Sequence, residues 1–149
     1  MSWTILRFGQ HIGETLPQVL LSNPDWFFWA MRNIEFYGQL EEETADLDYK
    51  ARRIKICRRH PQNWQIEYRY ENNRRFLGFW IVEASDSPYI GKGRVRSDWL
   101  DFSCIRRGRT YDKAGGRNLI RDVKKHYFGG RSLTKRRCER FFEDERNFV

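Results

Sequence analysis

Residues 8 to 29 restrict the fold of this chain more than any other stretch. Phe8-Gly9-Gln10-His11-Ile12-Gly13 is answered by Asn23-Pro24-Asp25-Trp26-Phe27-Phe28-Trp29. Ile5, Leu6 and Phe8 read as the apolar end of a strand. Gly9 and Gly13 sit where the backbone has to reverse, because glycine adopts positive φ without a steric penalty. Thr15 is placed to cap a single turn carrying Leu16, Val19 and Leu20. Asn23 then caps a longer helix with Pro24 at its first position, where the missing N–H would have had no intrahelical partner. The spacing predicts a strand end, a glycine turn and a short connector leading into an aromatic helix that covers the turn.

That helix extends to about Asn33 or Phe36. Trp26, Phe27, Trp29, Ala30 and Met31 wrap most of its circumference, the pattern of a helix in a core or at an interface. After Gly38, Leu40 to Ala51 reads as a weakly amphipathic helix with Leu40, Leu47 and Ala51 inward. Its Glu41, Glu42, Glu43, Asp46 and Asp48 are expected on a solvated face.

Phe8, Gly9, Gly13, Leu16, Pro24, Trp26 and Trp29 together resemble a small domain appended to exonucleases of the exodeoxyribonuclease X and DNA polymerase III epsilon type, and found also in small stand-alone bacterial proteins. The resemblance covers about residues 3 to 36. It departs from that family at Gln10 and Ile12, where the family carries lysine, so anion contacts made by those lysines have no counterpart here. No exonuclease catalytic signature accompanies the motif. The resemblance implies a nucleic-acid setting and no catalysis.

The charge is divided unevenly along the chain. Residues 1–50 hold three basic side chains (Arg7, Arg32, Lys50) against eight acidic ones, a net of −5, and the remaining 25 basic against 12 acidic give +13, which together make the overall +8. Such asymmetry points to a polyanion facing the later two thirds, to mutual attraction of the two parts, or to a solvated surface that is merely basic. At 149 residues and 16% aromatic, the chain is long and apolar enough to form one folded domain spanning 1–149. No window approaches a membrane span and the N-terminus has no basic-then-apolar signal pattern, so a soluble, cytoplasmic protein with no membrane partner is expected. Cys57, Cys104 and Cys138 are odd in number and far apart, so buried or half-buried thiols are expected rather than a disulfide framework or zinc site.

The middle of the chain changes period. Ile54 and Ile56 alternate with polar neighbours, and Trp64, Ile66, Tyr68 and Tyr70 alternate with Gln65, Glu67, Arg69 and Glu71, the period of a half-buried antiparallel strand. Asn72-Asn73 reads as a turn, and Phe76 to Val82 as a returning strand covered on both faces. A loop from Ser85 to Gly93 leads to a further strand predicted at Trp99 to Ile105, with Leu100, Phe102 and Cys104 on one face. The last third reads as two helices: one opened by Asp112 or Gly116 with a Leu119, Ile120, Val123, Tyr127 stripe and stopped at Gly129-Gly130, and one capped by Thr134 with Cys138, Phe141 and Phe142 inward. The expected class is therefore α+β, a small and mostly antiparallel sheet of three or four strands with an aromatic N-terminal helix and two basic C-terminal helices.

Those helices carry the functional expectation. Arg117, Arg121, Lys124, Lys125, Lys135, Arg136, Arg137 and Arg140 fall off the apolar stripes, and Arg106, Arg107 and Arg109 precede them. Each Lys or Arg that neutralises a phosphate releases counterions, and arginine adds bidentate contact and stacking. The pattern points to nonenzymatic nucleic-acid binding in a DNA-processing or regulatory setting, with DNA ahead of RNA and no cofactor or metal. Gly115-Gly116 reads as a plain helix start rather than a phosphate loop, since the Gly-x-x-x-x-Gly-Lys-Ser/Thr spacing is missing. Two alternatives stay open. A small accessory or inhibitory protein, of mobile-element type, would present the same basic face to an acidic protein. A metal-dependent nuclease would need Glu67, Glu71, Asp98, Asp101 and Asp112, with Lys113, to converge. His11, His60 and His126 are scattered, and His11 is expected to hydrogen-bond within its turn.

Overall fold

Asn23 ends one helix and starts the next. In the computed structural model, which describes residues 2–57, 63–71, 75–86, 93–106 and 112–149, it is the C-cap of α1 (Leu16–Ser22) and the N-cap of α2 (Pro24–Asn33). Its Oδ1 accepts from the Trp26 N–H at 3.2 Å, so its amide nitrogen is the donor toward His11 Nε2, also at 3.2 Å. That leaves His11 Nδ1 to donate to Glu14 at 2.8 Å, while the ring packs edge-on against Trp26 at 4.8 Å. The glycine turn is thus stapled to α2, the aromatic helix read as covering it. Gly9 and Gly13 have φ of 72° and 89°, and the strand end is a single Ile5–Thr15 bridge. Pro24 and Trp26 are buried, Phe8 lies near the ring of Phe36, and Trp29 keeps 39% of its surface exposed.

The connector is more substantial than a single turn. Leu16, Val19, Leu20 and Leu21 are all fully buried, each worth about 1.5–3 kcal/mol of transfer free energy. This short helix touches α2, α4 (Lys113–Tyr127), α5 (Lys135–Glu143) and α3 (Gln39–Ala51), so it forms the centre of the helical layer. In α3 the expected solvated face of carboxylates holds except at Glu43. Glu43 is 5% exposed and accepts from Thr4 N, Thr4 Oγ1 and Gln39 Nε2, tying the N-terminal segment to the helix. Lys50 is buried as well, donating to the Phe142 carbonyl at 2.9 Å and pairing with Asp46 and Glu145.

The sheet has strands β1 (Trp64–Tyr70), β2 (Phe76–Glu83) and β3 (Arg94–Ser97) in the order β2-β1-β3, antiparallel throughout. Ile66, Tyr68, Phe76 and Phe79 are buried on one face. The opposite face carries Glu67, Arg69, Trp80, Arg94 and Arg96, which corrects the reading of β2 as covered on both sides: Trp80 and the bulged Leu77 are each 39% exposed. The predicted strand at Trp99–Ile105 is also corrected. Only Leu100 pairs there, in a bridge with Ile54, and Phe102–Arg106 is a 3₁₀ turn. Phe102 and Ile105, both fully buried, lie three residues apart, the period of that turn. Asp101 Oδ1 accepts from the N–H and hydroxyl of Ser103, a local turn that competes with extension. The Asn72-Asn73 turn and residues 87–92 of the following loop lie outside the described residues.

Helix α4 is clipped to the edge of β2 through polar groups. Asp112 caps it, accepting from Gly115 N at 2.8 Å and from Phe76 N at 3.2 Å. Asn118 donates to the Phe76 carbonyl, Arg121 to the Leu77 carbonyl, and Asp122 accepts from Phe79 N, each at 3.0 Å. Gly78 belongs to this clip, since a Cβ there would land inside the Asp122 carboxylate. The amides of Gly115 and Gly116 are both taken by Asp112, in keeping with a plain helix start. Helix α5 begins at Thr134 as expected and buries Cys138, Phe141 and Phe142. Cys104 is buried and Cys57 half-buried, its thiol donating to the His126 carbonyl.

Asp25 lies under this junction, 1% exposed. Its Oδ1 accepts from Asp112 N at 3.0 Å, and Oδ2 has no hydrogen-bond partner among the described residues. Burial pushes its carboxyl above the ordinary 3.8, against the Asp112 hydrogen bond and the nearby Arg106 charge. The folded chain therefore keeps this proton where the unfolded chain has released it. The contribution is most favourable below the unfolded value and is lost as pH rises through the folded one. In urea titrations between about pH 4 and 7, Asp25→Asn is expected to gain stability relative to the wild type as pH rises. A difference that stays flat across that range would contradict the assignment.

Candidate nucleic-acid interface

The C-terminal residues build one basic hollow through pairing between segments far apart in sequence. Ile54 pairs with Phe148, Lys55 N donates to the Asn147 carbonyl at 2.8 Å and Val149 N to the Arg53 carbonyl at 2.8 Å. This brings Lys55 beside Arg146. The end of α4 closes another side, where Gly129 and Gly130 reverse the chain, the Gly130 N–H caps the Lys124 carbonyl at 3.0 Å and Tyr127 Oη donates to the Lys55 carbonyl at 2.8 Å. Phe141 meets Tyr127 and Phe128 at 6.0 and 5.4 Å, giving an aromatic floor.

The hollow measures about 560 Å³, and Lys55, Arg131, Arg137, Arg140 and Arg146 line it without a carboxylate among the described residues. The five cations are not equally available. Arg146 forms two hydrogen bonds to Asp144 at 3.0 and 3.1 Å, and Arg137 Nη1 donates to the carbonyl and hydroxyl of Ser132. Lys55, Arg131 and Arg140 are exposed and make no ion pair among the described residues. Like charges held around one concavity favour an anionic ligand, because low-dielectric walls focus the field.

The other expected cations are dispersed. Arg106 lines a separate cleft with Arg32 and Arg52. Arg107, Arg109 and His60 are outside the described residues. Arg117 sits beside Lys113 and His11 near the start of α4, Arg121 is committed to the β2 edge, and Lys124 and Lys125 occupy α4 without lining the hollow. Lys135 and Arg136 are exposed in the first turn of α5, next to Arg137. Of the expected residues, Arg137 and Arg140 line the hollow; Arg131, Arg146 and Lys55 were missed. Arg131 had a usable signal, since it directly follows the glycine stop.

A third basic region lies on the outer face of the sheet. Arg94 and Arg96 approach Glu67 at 3.1 and 3.8 Å, Arg96 also donates to the Asp86 carbonyl, and Arg69 stacks over Trp80 at 3.6 Å. Glu67, 3% exposed, therefore neutralises part of that face, whereas in the hollow Asp144 pairs with Arg146 and leaves Lys55, Arg131 and Arg140 without an ion pair among the described residues. The remaining nuclease candidates stay apart. Glu71 pairs with Arg75, Asp98 accepts from Gln65, Asp101 holds Ser103 and Asp112 caps α4. Among the described residues no three His, Cys, Asp or Glu side chains form a group able to hold a metal ion. No described helix is long and apolar enough to cross a membrane. No family model, curated protein or solved structure matches this chain.

Proposed function

We infer that the chain is a nonenzymatic nucleic-acid-binding protein that takes the phosphate backbone at the hollow between α4, α5 and the C-terminus. The observation that carries this reading is the set of five cations lining one concavity, of which Arg146 alone is ion-paired among the described residues. The exposed Lys135 and Arg136 extend the field along α5. Phosphate contacts of this kind give binding that is strong at low salt and indifferent to sequence. The resemblance of residues 3 to 36 to a domain appended to exonucleases is consistent with a DNA-processing or regulatory setting, with DNA ahead of RNA.

Fluorescence anisotropy of labelled single-stranded DNA, duplex DNA and RNA across a salt series tests the reading, with a magnesium incubation run in parallel on a gel. Steep salt dependence with intact substrate supports it, and cleavage abolished by chelator replaces it with a nuclease. Absence of binding at low salt reassigns the hollow to an acidic protein partner. The exposed Ile12, Trp29 and Tyr37 on the acidic N-terminal third would then be the next surface to examine.

A further inference from the structure

Three arginines from three separate elements line a second concavity, which shares no lining residue with the hollow. Arg32 comes from the last turn of α2, Arg52 is the C-cap of α3, and Arg106 ends the 3₁₀ turn. They line a cleft of about 710 Å³, within the range of small-molecule sites. Phe28, Met31, Tyr70, Val95 and Trp99 supply its apolar and aromatic walls, and Trp99 is 37% exposed. The polar groups of the wall are already engaged: Tyr68 Oη bonds Ser97, the Trp99 carbonyl and Asp101 N, and Tyr70 Oη donates to the Cys104 carbonyl. Asp101 is the single carboxylate lining the cleft among the described residues, and it is turned to Ser103.

Arg32 and Arg52 each have a local reason to be where they are, since a cation at a helix C-terminus complements the dipole. That reason does not extend to Arg106, nor to the meeting of all three. Arg52 places its Nε on Asp48 at 2.9 Å and stacks over Phe28 at 5.4 Å, and Arg32 makes no ion pair among the described residues. Burial and the neighbouring Arg32 charge both push the Arg106 guanidinium down, while Asp25 holds it up from the interior.

We propose that this cleft binds a planar ring bearing a phosphate, with the phosphate between Arg32, Arg52 and Arg106 and the ring against Trp99 and its aromatic neighbours. Guanidinium groups match phosphate oxygens in bidentate geometry, and aromatic walls accept any base by stacking. The ligand is either a free mononucleotide or the phosphorylated end of an oligonucleotide. The site is separate from the hollow and stands whether or not nucleic acid binds there.

Isothermal titration of the full chain with adenosine 5′-monophosphate, adenosine, inorganic phosphate, and a short oligothymidylate with and without a 5′-phosphate tests the site. One saturable site is expected, with the monophosphate or the phosphorylated oligonucleotide bound at least about tenfold more tightly than its unphosphorylated form. Whichever phosphorylated probe shows this identifies the source. Arg32→Ala, an exposed position, is expected to reduce that affinity about tenfold with the melting temperature unchanged, and Arg131→Ala with Arg140→Ala to leave it intact. Equal binding with and without phosphate, no binding of any phosphorylated probe, insensitivity to Arg32→Ala, or loss in the Arg131/Arg140 variant would each overturn the proposal.

Discussion

Replacing Arg131 and Arg140 together by alanine is expected to weaken nucleic-acid binding about 10- to 100-fold at moderate salt, with no preference among sequences. The slope of log affinity against log salt should become shallower by about 2, since each lost phosphate contact removes about 0.9. These two positions are chosen because their exposed side chains line the hollow and make no ion pair among the described residues, so the fold does not rest on them. Arg137 would be a poorer probe, because it holds Ser132. Replacing Arg94 and Arg96 on the sheet provides the comparison and should change the slope far less, since Glu67 already neutralises part of that face. Anisotropy titrations of the two double variants, with circular dichroism confirming the fold, check the result.

Asp112→Ala is expected to be the most damaging single polar substitution in the α4–sheet junction. It removes the α4 cap, worth about 1 kcal/mol, and strands the N–H of the fully buried Phe76, which costs about 1–3 kcal/mol more. The total of about 2–4 kcal/mol is a large share of an ordinary domain's stability of about 5–15 kcal/mol, and should lower the melting temperature by about 5–15 °C. Asp112→Ser keeps a capping oxygen without the second acceptor, so it should fall between the two. A thermal scan in which serine and alanine melt alike would show that the contact to Phe76, rather than the cap, accounts for the loss. One in which neither variant shifts would remove Asp112 from the junction.

The parts of this fold legible in sequence are those decided within a few residues. Asn23 and Thr134 cap the helices they were read to cap, and of the two starts offered for α4, Asp112 is the cap, because a short oxygen-bearing side chain bonds an N–H two or three residues on. Strand β1 follows its period of two and pairs antiparallel with β2 as expected, and the α4 stripe buries Leu119 and Val123. The misread strand at Trp99–Ile105 shows the limit: an alternation over so few residues also contains an i, i+3 pair, and the Asp101–Ser103 turn decided for the tighter winding. Burial of Glu43 and Lys50 was not legible, because their partners Thr4 and Phe142 lie 39 and 92 residues away.

The candidate site divides in the same way. Arg137 and Arg140 were found because a cationic helix face is visible in its own spacing. Arg146 and Lys55 were not, because they become neighbours only when residues 53–55 pair with residues 147–149. A run of cations in sequence thus separated into a hollow, a cleft and a helix-to-sheet clip. Arg121 is the clearest example, its guanidinium turned to the Leu77 carbonyl of the bulged strand.

Arginine side-chain Nε–Hε correlation spectra recorded during titration with an unphosphorylated DNA duplex measure the location of the bound phosphates directly. Saturable shifts concentrated at Arg131, Arg137 and Arg140, with the signals of Arg69, Arg94 and Arg96 nearly stationary, are the result predicted for a hollow between α4 and α5. Shifts concentrated on the sheet arginines, or binding that leaves the hollow's signals unmoved, would contradict it.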